Sequence, residues 1–208
     1  MHSKRKWLSA ARLYLILDRQ VNADNKLFEI AERSIRFGVD VIQLRDKTGC
    51  AKDTLKCFEG IVRATRRRVP VIMNDRVDLA VVVRADGVHL GQDDIPLKEA
   101  RRIIGHEAAI GISCQTYDQA RRAEGKGADY IGFGSVFKTL TKPERSPMDL
   151  ALLARVVRDI KIPVFAIGGI NIGNITALRE TGARRFAVCR AICQARNIEK
   201  AIMKLTRG

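Results

Sequence analysis

The chain has 208 residues, of which 46% are hydrophobic, and its 38 Lys and Arg outnumber 23 Asp and Glu to give a formal net charge of +15. This composition excludes a disordered chain, because enough apolar side chains are present to form a core. One compact domain is expected, since a chain of about 150 to 250 residues buries most of the surface that it exposes when unfolded. The positive charge favours an anionic partner without choosing between a nucleic acid, a phosphate ester and simple solubility.

Neither a membrane span nor a secretion signal is predicted. The longest uncharged stretch, residues 162–178, contains a proline and three glycines, which hydrocarbon tolerates poorly. The apolar run at residues 13–17 is shorter than the apolar part of a signal peptide. The five cysteines form no CxxC pair and have no nearby histidine at a zinc-ligand spacing, so we expect free thiols in a reducing compartment. These features predict a cytoplasmic protein with no membrane partner.

Short β-rich apolar runs alternate with amphipathic segments of helical length, which is the pattern of βα units around a parallel sheet. The eight predicted strands are residues 12–18, 39–45, 70–74, 87–90, 109–113, 130–134, 163–167 and 185–189. The predicted helices are residues 26–37, 52–67, 77–84, 97–104, 117–126, 150–159, 175–181 and 197–205.

A glycine stands at three of the predicted helix-to-strand joins, at Gly38, Gly127 and Gly182. Glycine adopts the left-handed conformation that ends a helix, and an apolar run begins soon after each of the three. Eight such units predict an α/β fold, a single (β/α)8 TIM barrel with parallel strands over residues 1–208, with residues 1–11 as an N-terminal extension. The alternative is an open doubly wound sheet, which normally uses fewer strands.

Polar side chains gather where the predicted strands end, which is where barrel enzymes have their active sites. Gln43, Arg45 and Lys47 stand two residues apart at the end of the second strand, so they share one face of an extended chain. Two cations and an amide suit an oxyanion such as diphosphate. The alternative is a solvated strand end with an ion pair through Asp46.

A second group of polar residues follows the third and fourth strands. Asn74 and Asp75 end the third strand, and Asp93 and Asp94 come shortly after the fourth. Mg²⁺ takes oxygen ligands from one or two carboxylates and from substrate phosphates, so Asp75 with either Asp93 or Asp94 is a candidate pair. The alternative for each carboxylate is capping of the helix that follows. His89, on the fourth strand, is expected to orient the neighbouring strand-end groups.

Two later loops indicate phosphate binding. The long segment after the sixth strand carries Thr139, Thr141 and Lys142, and such loops in a compact barrel are commonly lids or binding loops. After the seventh strand, Gly168 and Gly169 offer backbone N–H groups at the usual phosphate site of barrels. The residues alone therefore predict that a polyanion, with Mg²⁺, binds at the mouth of a barrel.

Seven segments occur in the order and spacing of thiamine phosphate synthase, and the chain resembles this family from about residue 13 to residue 202. They are QLRDK, NDRVDLA, ADGVHLGQDD, GIS, ADYIGFGSVF, TLTK and AIGGIN. The resemblance implies a (β/α)8 transferase that joins 4-amino-2-methyl-5-hydroxymethylpyrimidine diphosphate to 4-methyl-5-(2-phosphooxyethyl)thiazole or its carboxylated form. It implies thiamine phosphate and diphosphate as products, Mg²⁺ as cofactor and small molecules as partners.

The resemblance also implies a role for each candidate residue. The implied diphosphate ligands are Arg45, Lys47, Asn74 and Lys142, and the implied Mg²⁺ ligands are Asp75 and Asp94. The implied pyrimidine contacts are Gln43 and Ser113, and the implied contacts of the thiazole phosphate are Thr139, Thr141 and Gly169. Catalysis, by charge stabilisation and positioning and without a covalent enzyme intermediate, is then expected from Arg45, Lys47, Lys142 and Ser113.

The chain departs from the family pattern at the end of the eighth predicted strand. The family usually has a serine in a run like AVVSAI, where this chain reads AVCRAI and so places Cys189 and Arg190. We expect both residues to contact the thiazole phosphate, and Arg190 to retain or tighten its binding.

Three alternative functions are weighed against the synthase. A thiazole tautomerase shares the barrel, but it tends to lose the diphosphate ligands and uses a histidine where this chain has Gln115. A barrel that binds phosphate without catalysis is left open by Arg190. Nucleic-acid binding is suggested by basic runs such as Arg66-Arg67-Arg68, but these lack interleaved aromatics and a recognised motif, so no nucleic-acid partner is expected. The sequence leaves a homo-oligomer open.

Overall fold

Eight parallel strands pair in sequence order and close into a barrel in the computed structural model, which describes residues 7–141 and 146–206. The strands are β1 (Leu13–Asp18), β2 (Val41–Arg45), β3 (Val71–Asn74), β4 (Gly87–Leu90), β5 (Ala109–Cys114), β6 (Tyr130–Phe133), β7 (Val164–Ile167) and β8 (Phe186–Val188). Pairing of β8 with both β7 and β1 closes the sheet. The predicted (β/α)8 barrel is therefore confirmed, and the open doubly wound alternative is wrong.

Helices follow the strands around the outside of the barrel. Those within the described residues are α1 (Trp7–Ala10), α2 (Asp24–Ser34), α3 (Ala51–Thr65), α4 (Val77–Val82), α5 (Leu97–Ile104), α6 (Tyr117–Gly125), α7 (Leu150–Asp159), α8 (Ile175–Glu180), α9 (Arg190–Cys193) and α10 (Ile198–Thr206). Strand β4 and helices α5 and α7 have the predicted bounds, and the other predicted elements agree within three residues at each end. The short helices α1 and α9 were not predicted.

The largest difference in bounds is at the end of α2, which was predicted to reach residue 37. The helix ends at Ser34, because the next turn tightens: the N–H of Phe37 donates to the Ser34 carbonyl at 3.1 Å. Gly38 then has a φ of 102° and leads the chain towards β2. Gly127 and Gly182 have φ values of 87° and 88°, so the three predicted glycine joins are confirmed.

Alternate residues of each strand face opposite sides of the sheet. Leu13, Leu15 and Leu17 of β1 lie in the main core, between the sheet and the surrounding helices. Tyr14 and Ile16 point into the barrel, where they join a second apolar cluster with inward residues of the other strands. The inward set is the one that reaches the barrel mouth and can position a site.

The residues just before β1, predicted to be part of an extension, pack against the barrel interior. Leu8 and Ala11 are 6% and 1% exposed, and the Trp7 ring lies edge-on to the Tyr130 ring, with centroids 6.4 Å apart. The described part of this segment therefore contributes to the inner cluster. Among residues 7–141 and 146–206, no helix is long and apolar enough to cross a membrane.

Candidate active site

A cavity of about 400 Å³ opens at the carboxyl ends of the strands. The residues predicted from the sequence that line it are Gln43, Arg45, Asn74, Ser113, Thr139, Thr141, Gly169, Cys189 and Arg190. Lys47, Asp75 and Asp94 follow β2, β3 and β4 on the same side of the barrel. Lys142 lies outside the described residues. The structure thus brings together side chains that are up to 147 positions apart in sequence, from Gln43 to Arg190.

Arg45 is held at the cavity wall by the neighbouring strand. It stands opposite Asp18 in the parallel pairing of β1 and β2, and its Nη1 donates to Asp18 Oδ2 at 2.6 Å. The same nitrogen donates to Gln20 Oε1 at 3.0 Å. Asp18 is 1% exposed, so its carboxylate both fixes the guanidinium and offsets part of its charge. The remaining donors of Arg45 can bind a ligand anion.

Asp46 forms an ion pair at this strand end, as the alternative expected, but its partner is Arg19 rather than Arg45 or Lys47. Its Oδ2 accepts from Arg19 Nη1 at 2.6 Å and from Thr54 Oγ1 at 2.7 Å. Although burial opposes ionisation, the bonds from Thr54 and Arg19 lower the pKa of Asp46. Asp46 therefore stabilises the loop after β2 and leaves the cations beside it for other partners.

Asp75 and Asp94 are neighbours at the mouth of the barrel. Asp75 has a φ of 59°, and its N–H donates to the His89 carbonyl at 2.9 Å, which ties the end of β3 to β4. Its carboxylate forms an ion pair with the Lys47 ammonium. Asp94 accepts from the Gly91 N–H at 2.6 Å, and burial together with the adjacent Asp75 raises the pKa of Asp94. Two carboxylates this close repel each other, and a cation between them would relieve that repulsion.

Neither carboxylate caps the helix that follows it, so the capping alternative is wrong for both. Arg76 is the N-cap of α4 and Pro96 is the N-cap of α5. The described residues contain no cluster of three or more His, Cys, Asp or Glu side chains that could hold a metal. Asp75 and Asp94 could thus supply two oxygen ligands, which fits Mg²⁺ only if substrate phosphates or waters supply the others.

The loops after β6 and β7 meet at the opposite side of the cavity. The Phe137 N–H donates to the Gly168 carbonyl at 3.1 Å, and the Thr141 N–H lies 3.3 Å from Thr139 Oγ1. At Gly169, φ is 64° and a Cβ would lie 2.3 Å from the Lys138 carbonyl oxygen, so only glycine fits. This close packing brings two threonine hydroxyls and the glycine backbone to one part of the cavity wall.

Arg190 adds a cation to that part of the wall. Its Nε is buried and has no hydrogen-bond partner within the described portion of the chain, and its Nη1 lies 3.4 Å from Gln194 Oε1. Asn74, at the end of β3, has a similar buried donor: its Nδ2 also has no hydrogen-bond partner among residues 7–141 and 146–206. Both residues line the cavity, so these donors are available to an anion or a water molecule bound there. Lys138 and Gln194 also line the cavity, although the sequence did not single them out.

A buried hydrogen-bond network crosses the barrel beneath these groups. Gln43 Nε2 donates to the Tyr14 hydroxyl at 2.9 Å, and the hydroxyls of Tyr14 and Tyr130 are 3.0 Å apart. His89 Nδ1 lies 3.2 Å from the Tyr130 hydroxyl, and His89 Nε2 lies 3.0 Å from Ser113 Oγ. The network therefore joins the two predicted pyrimidine contacts, Gln43 and Ser113. It also agrees with the prediction that His89 orients strand-end groups.

Tyr14 and Tyr130 were not among the site residues predicted from the sequence, although the alternation along each strand places them on the same face as other cavity residues. Tyr14 and Tyr130 lie two residues before Ile16 and Gly132, and all four line the cavity. The room for the network comes from Gly111, where a Cβ would lie 2.1 Å from Tyr130 Cζ and 2.6 Å from His89 Nδ1. A glycine inside a strand is thus explained by the close approach of the two rings.

Gly111→Ala is expected to lower the free energy of unfolding by about 1 to 3 kcal/mol, because the added methyl group overlaps two buried rings. The measurement is denaturant unfolding beside Gly125→Ala, since a Cβ at Gly125, the last residue of α6, has nothing within 4 Å. Equal stability of the two variants would contradict the packing described here.

Comparison with known proteins agrees with this geometry. The family model described as thiamine monophosphate synthase matches residues 13–192. A thiamine-phosphate synthase of Ruminiclostridium cellulolyticum is 40% identical over 194 residues, which cover 93% of this chain and 92% of the relative. A thiamine-phosphate synthase of Roseiflexus sp. is 42% identical over 195 residues, which cover 93% of this chain and 83% of the relative.

A solved structure shows the same fold. The thiamine phosphate pyrophosphorylase from Pyrococcus furiosus superposes with a TM-score of 0.85 and 35% identity, covering 97% of this chain and 95% of that chain. The family model and the two relatives each cover most of the chain, including the cavity wall from β2 to β8. The chain therefore belongs to the thiamine monophosphate synthase family.

Proposed function

We propose that the mouth of this barrel carries out the reaction of the family with the residues described above. A thiazole phosphate displaces diphosphate from 4-amino-2-methyl-5-hydroxymethylpyrimidine diphosphate, and thiamine phosphate forms. One observation carries the proposal: cationic side chains at the ends of β2 and β8 line the cavity, and a carboxylate pair follows β3 and β4 on the same side of the barrel. Such a site suits two anionic substrates whose reaction releases a third anion.

The diphosphate is assigned to the side of the cavity formed by β2 and β3. Arg45 and Lys47 supply positive charge there, and the buried Nδ2 of Asn74 supplies a neutral donor. Lys142 is proposed as the third cation by the family pattern, from the loop after β6. Arg45 can bind oxygens through its planar fork, whereas a lysine acts as a point charge.

Asp75 and Asp94 are the residues that would hold Mg²⁺. The donor set fits, because two adjacent carboxylates offer hard oxygen ligands and burial with mutual repulsion already raises the pKa of Asp94. When bound, Mg²⁺ supplies positive charge that stabilises a leaving diphosphate.

The two substrates are assigned to different walls of the cavity. Gln43 and Ser113 would bind the pyrimidine ring. The thiazole phosphate would be bound by Thr139, Thr141, the Gly169 backbone, Cys189 and Arg190. The phosphate would then lie beside the buried Arg190 Nε.

The residues act by stabilising charge and by holding the reactants. The bond between the pyrimidine methylene carbon and the diphosphate oxygen breaks, and the diphosphate takes both electrons. Arg45, Lys47 and Lys142 stabilise the charge that develops on that oxygen, while Gln43 and Ser113 hold the ring, whose amino group stabilises the cation left behind. The thiazole nitrogen then donates its lone pair to the methylene carbon. No protein nucleophile is needed, so no covalent enzyme intermediate forms.

The proposal is tested by incubating the purified protein with both substrates and Mg²⁺ and measuring thiamine phosphate. Formation of the product, with loss of activity when a chelator removes the metal, is the expected result. Absence of product from a folded protein would reject the enzyme in favour of a phosphate-binding barrel.

Arg190→Ser is expected to raise the KM for the thiazole phosphate about tenfold, because a charge-assisted hydrogen bond is lost. The KM for the pyrimidine diphosphate should stay unchanged. Steady-state kinetics with each substrate varied in turn measures both constants. A lower KM for the thiazole phosphate in the variant would mean that Arg190 crowds its phosphate.

We also propose that residues 1–208 form one domain, that the protein is cytoplasmic and that it binds no nucleic acid. All five cysteines are free, which supports a reducing compartment.

Arg66, in the basic run after α3, is a left-handed C-cap, and the run contains no aromatic residue. A gel-shift titration at about 150 mM salt should show no stable nucleic-acid complex. A homo-oligomer is left to measurement of the mass in solution.

A further inference from the structure

The buried hydrogen bonds across the barrel have a single direction. The Tyr14 hydroxyl has one hydrogen, and it already accepts a bond from Gln43 Nε2 at 2.9 Å. Within the described residues, its other partner is the Tyr130 hydroxyl at 3.0 Å. Tyr14 is 2% exposed, so its hydrogen must find an acceptor inside the protein. Tyr14 therefore donates to Tyr130.

The direction of the next two bonds leaves the hydroxyl hydrogen of Ser113 pointing into the cavity. Tyr130 accepts from Tyr14, so its own hydrogen goes to His89 Nδ1 at 3.2 Å. A neutral imidazole whose Nδ1 accepts carries its hydrogen on Nε2, and Nε2 lies 3.0 Å from Ser113 Oγ. Ser113 thus accepts from His89 and keeps its own hydroxyl hydrogen for the cavity.

Burial keeps both phenols in the protonated form that this direction needs. It raises the pKa of Tyr14 and of Tyr130 well above the usual value. The opposite direction would send the Tyr130 hydrogen to Tyr14 and leave the Tyr14 hydrogen buried without an acceptor, because the Gln43 nitrogen facing it is a donor.

We propose that Tyr130 and His89 are positioning residues that fix Ser113 as a hydrogen-bond donor to a ring nitrogen of a 4-aminopyrimidine. This rests on the proposed function. Gln43 turns its nitrogen towards Tyr14, which leaves its Oε1 to accept from the exocyclic amino group. A 4-oxopyrimidine would present a carbonyl oxygen to Gln43 Oε1, so two acceptors would face each other, and a ring N–H in place of the acceptor for the Ser113 hydrogen. The network thereby selects the amino form of the ring.

The direction is tested in the protein without substrates, by NMR of histidine labelled with ¹⁵N. The chain has three histidines, and the signals lost in His89→Gln identify those of His89. We expect a neutral His89 with its hydrogen on Nε2. Tyr130→Phe, or Tyr14→Phe if the first variant does not fold, should abolish this single tautomer.

Tyr117→Phe is the matched control, because the Tyr117 hydroxyl donates to Asp159 at 3.1 Å on the helices outside the barrel. It should leave the His89 signals unchanged. The direction is overturned if wild-type His89 carries its hydrogen on Nδ1, or if Tyr130→Phe gives the wild-type spectrum.

Kinetics tests the positioning role. Tyr130→Phe is expected to raise the KM for the pyrimidine diphosphate about tenfold and to leave the KM for the thiazole phosphate unchanged. His89→Gln, whose amide can still donate to Ser113, should retain more activity than His89→Leu. Equal rises in both KM values, or equal activity of the two His89 variants, would overturn the role. If the wild-type protein formed no thiamine phosphate, the proposed function would be rejected. The tautomer of His89 would still show the direction of the hydrogen bonds.

Discussion

Asp75→Asn is expected to lower kcat/KM by about 10² to 10³, because the change removes one of the two carboxylates proposed to hold Mg²⁺. Asparagine has nearly the same shape and can still accept a hydrogen bond, so the fold should be preserved. Its loss of charge also frees Lys47, which is paired with Asp75 in the structure. The measurement is steady-state kinetics over a range of Mg²⁺ concentrations, in which the variant should need more metal.

Asp93→Asn is the matched control for this prediction. Asp93 is adjacent in sequence to Asp94, but it is exposed, whereas Asp75 and Asp94 are partly buried. Its replacement should leave kcat/KM within a factor of two of wild type, as is usual for a solvated surface charge. If Asp75→Asn had wild-type activity, or if Asp93→Asn were the damaging change, the proposed metal ligands would be wrong.

The elements of the barrel could be predicted because each has a strong local pattern. A buried strand such as β4 and an amphipathic helix such as α7 have the predicted bounds at both ends. Helices α1 and α9 have only four residues each, which is too short for a helical period to appear in the sequence. Their structure depends on the rest of the fold: Leu8 of α1, for example, lies in the inner cluster of the barrel.

The convergence of the site could be predicted for a simple geometric reason. The carboxyl ends of parallel strands meet at one end of a barrel, so Gln43, Ser113 and Arg190 had to approach each other once the strands were assigned. The partners of these residues could not be predicted in the same way. The ion pair of Arg45 with Asp18 follows from the register of β1 against β2, which no local pattern gives.

The interior network was missed for a related reason. Tyr14 and Tyr130 were assigned only to apolar strands, and their hydroxyls lie 116 positions apart in sequence but 3.0 Å apart in space. The space for them is made by Gly111, on yet another strand. The contact thus needs residues from three strands, one of which must be a glycine. No single segment of the sequence could predict it.

Lys47→Met is expected to have two opposite effects. Lys47 is proposed to bind diphosphate, and loss of a charge-assisted hydrogen bond should raise the KM for the pyrimidine diphosphate by about 10 to 100-fold. In the structure, however, its ammonium is paired with Asp75. Lys47 must therefore leave Asp75 before a divalent cation can bind there. Removing the ammonium should increase the affinity for a cation in the absence of substrate, by about fivefold for a partly exposed ion pair.

Both effects can be measured, with Mn²⁺ as a spectroscopic substitute for Mg²⁺ and electron paramagnetic resonance to count the free ion. Lys52→Met is the matched control, since Lys52 is an exposed lysine on α3 that does not line the cavity. Weaker Mn²⁺ binding in Lys47→Met than in this control would mean that Lys47 does not compete for Asp75. We expect Lys47→Met to bind the metal more tightly and the pyrimidine diphosphate more weakly. This result would show that the Lys47 ammonium of the wild-type protein moves from the Asp75 carboxylate to the diphosphate. Metal and substrate would then each favour the binding of the other.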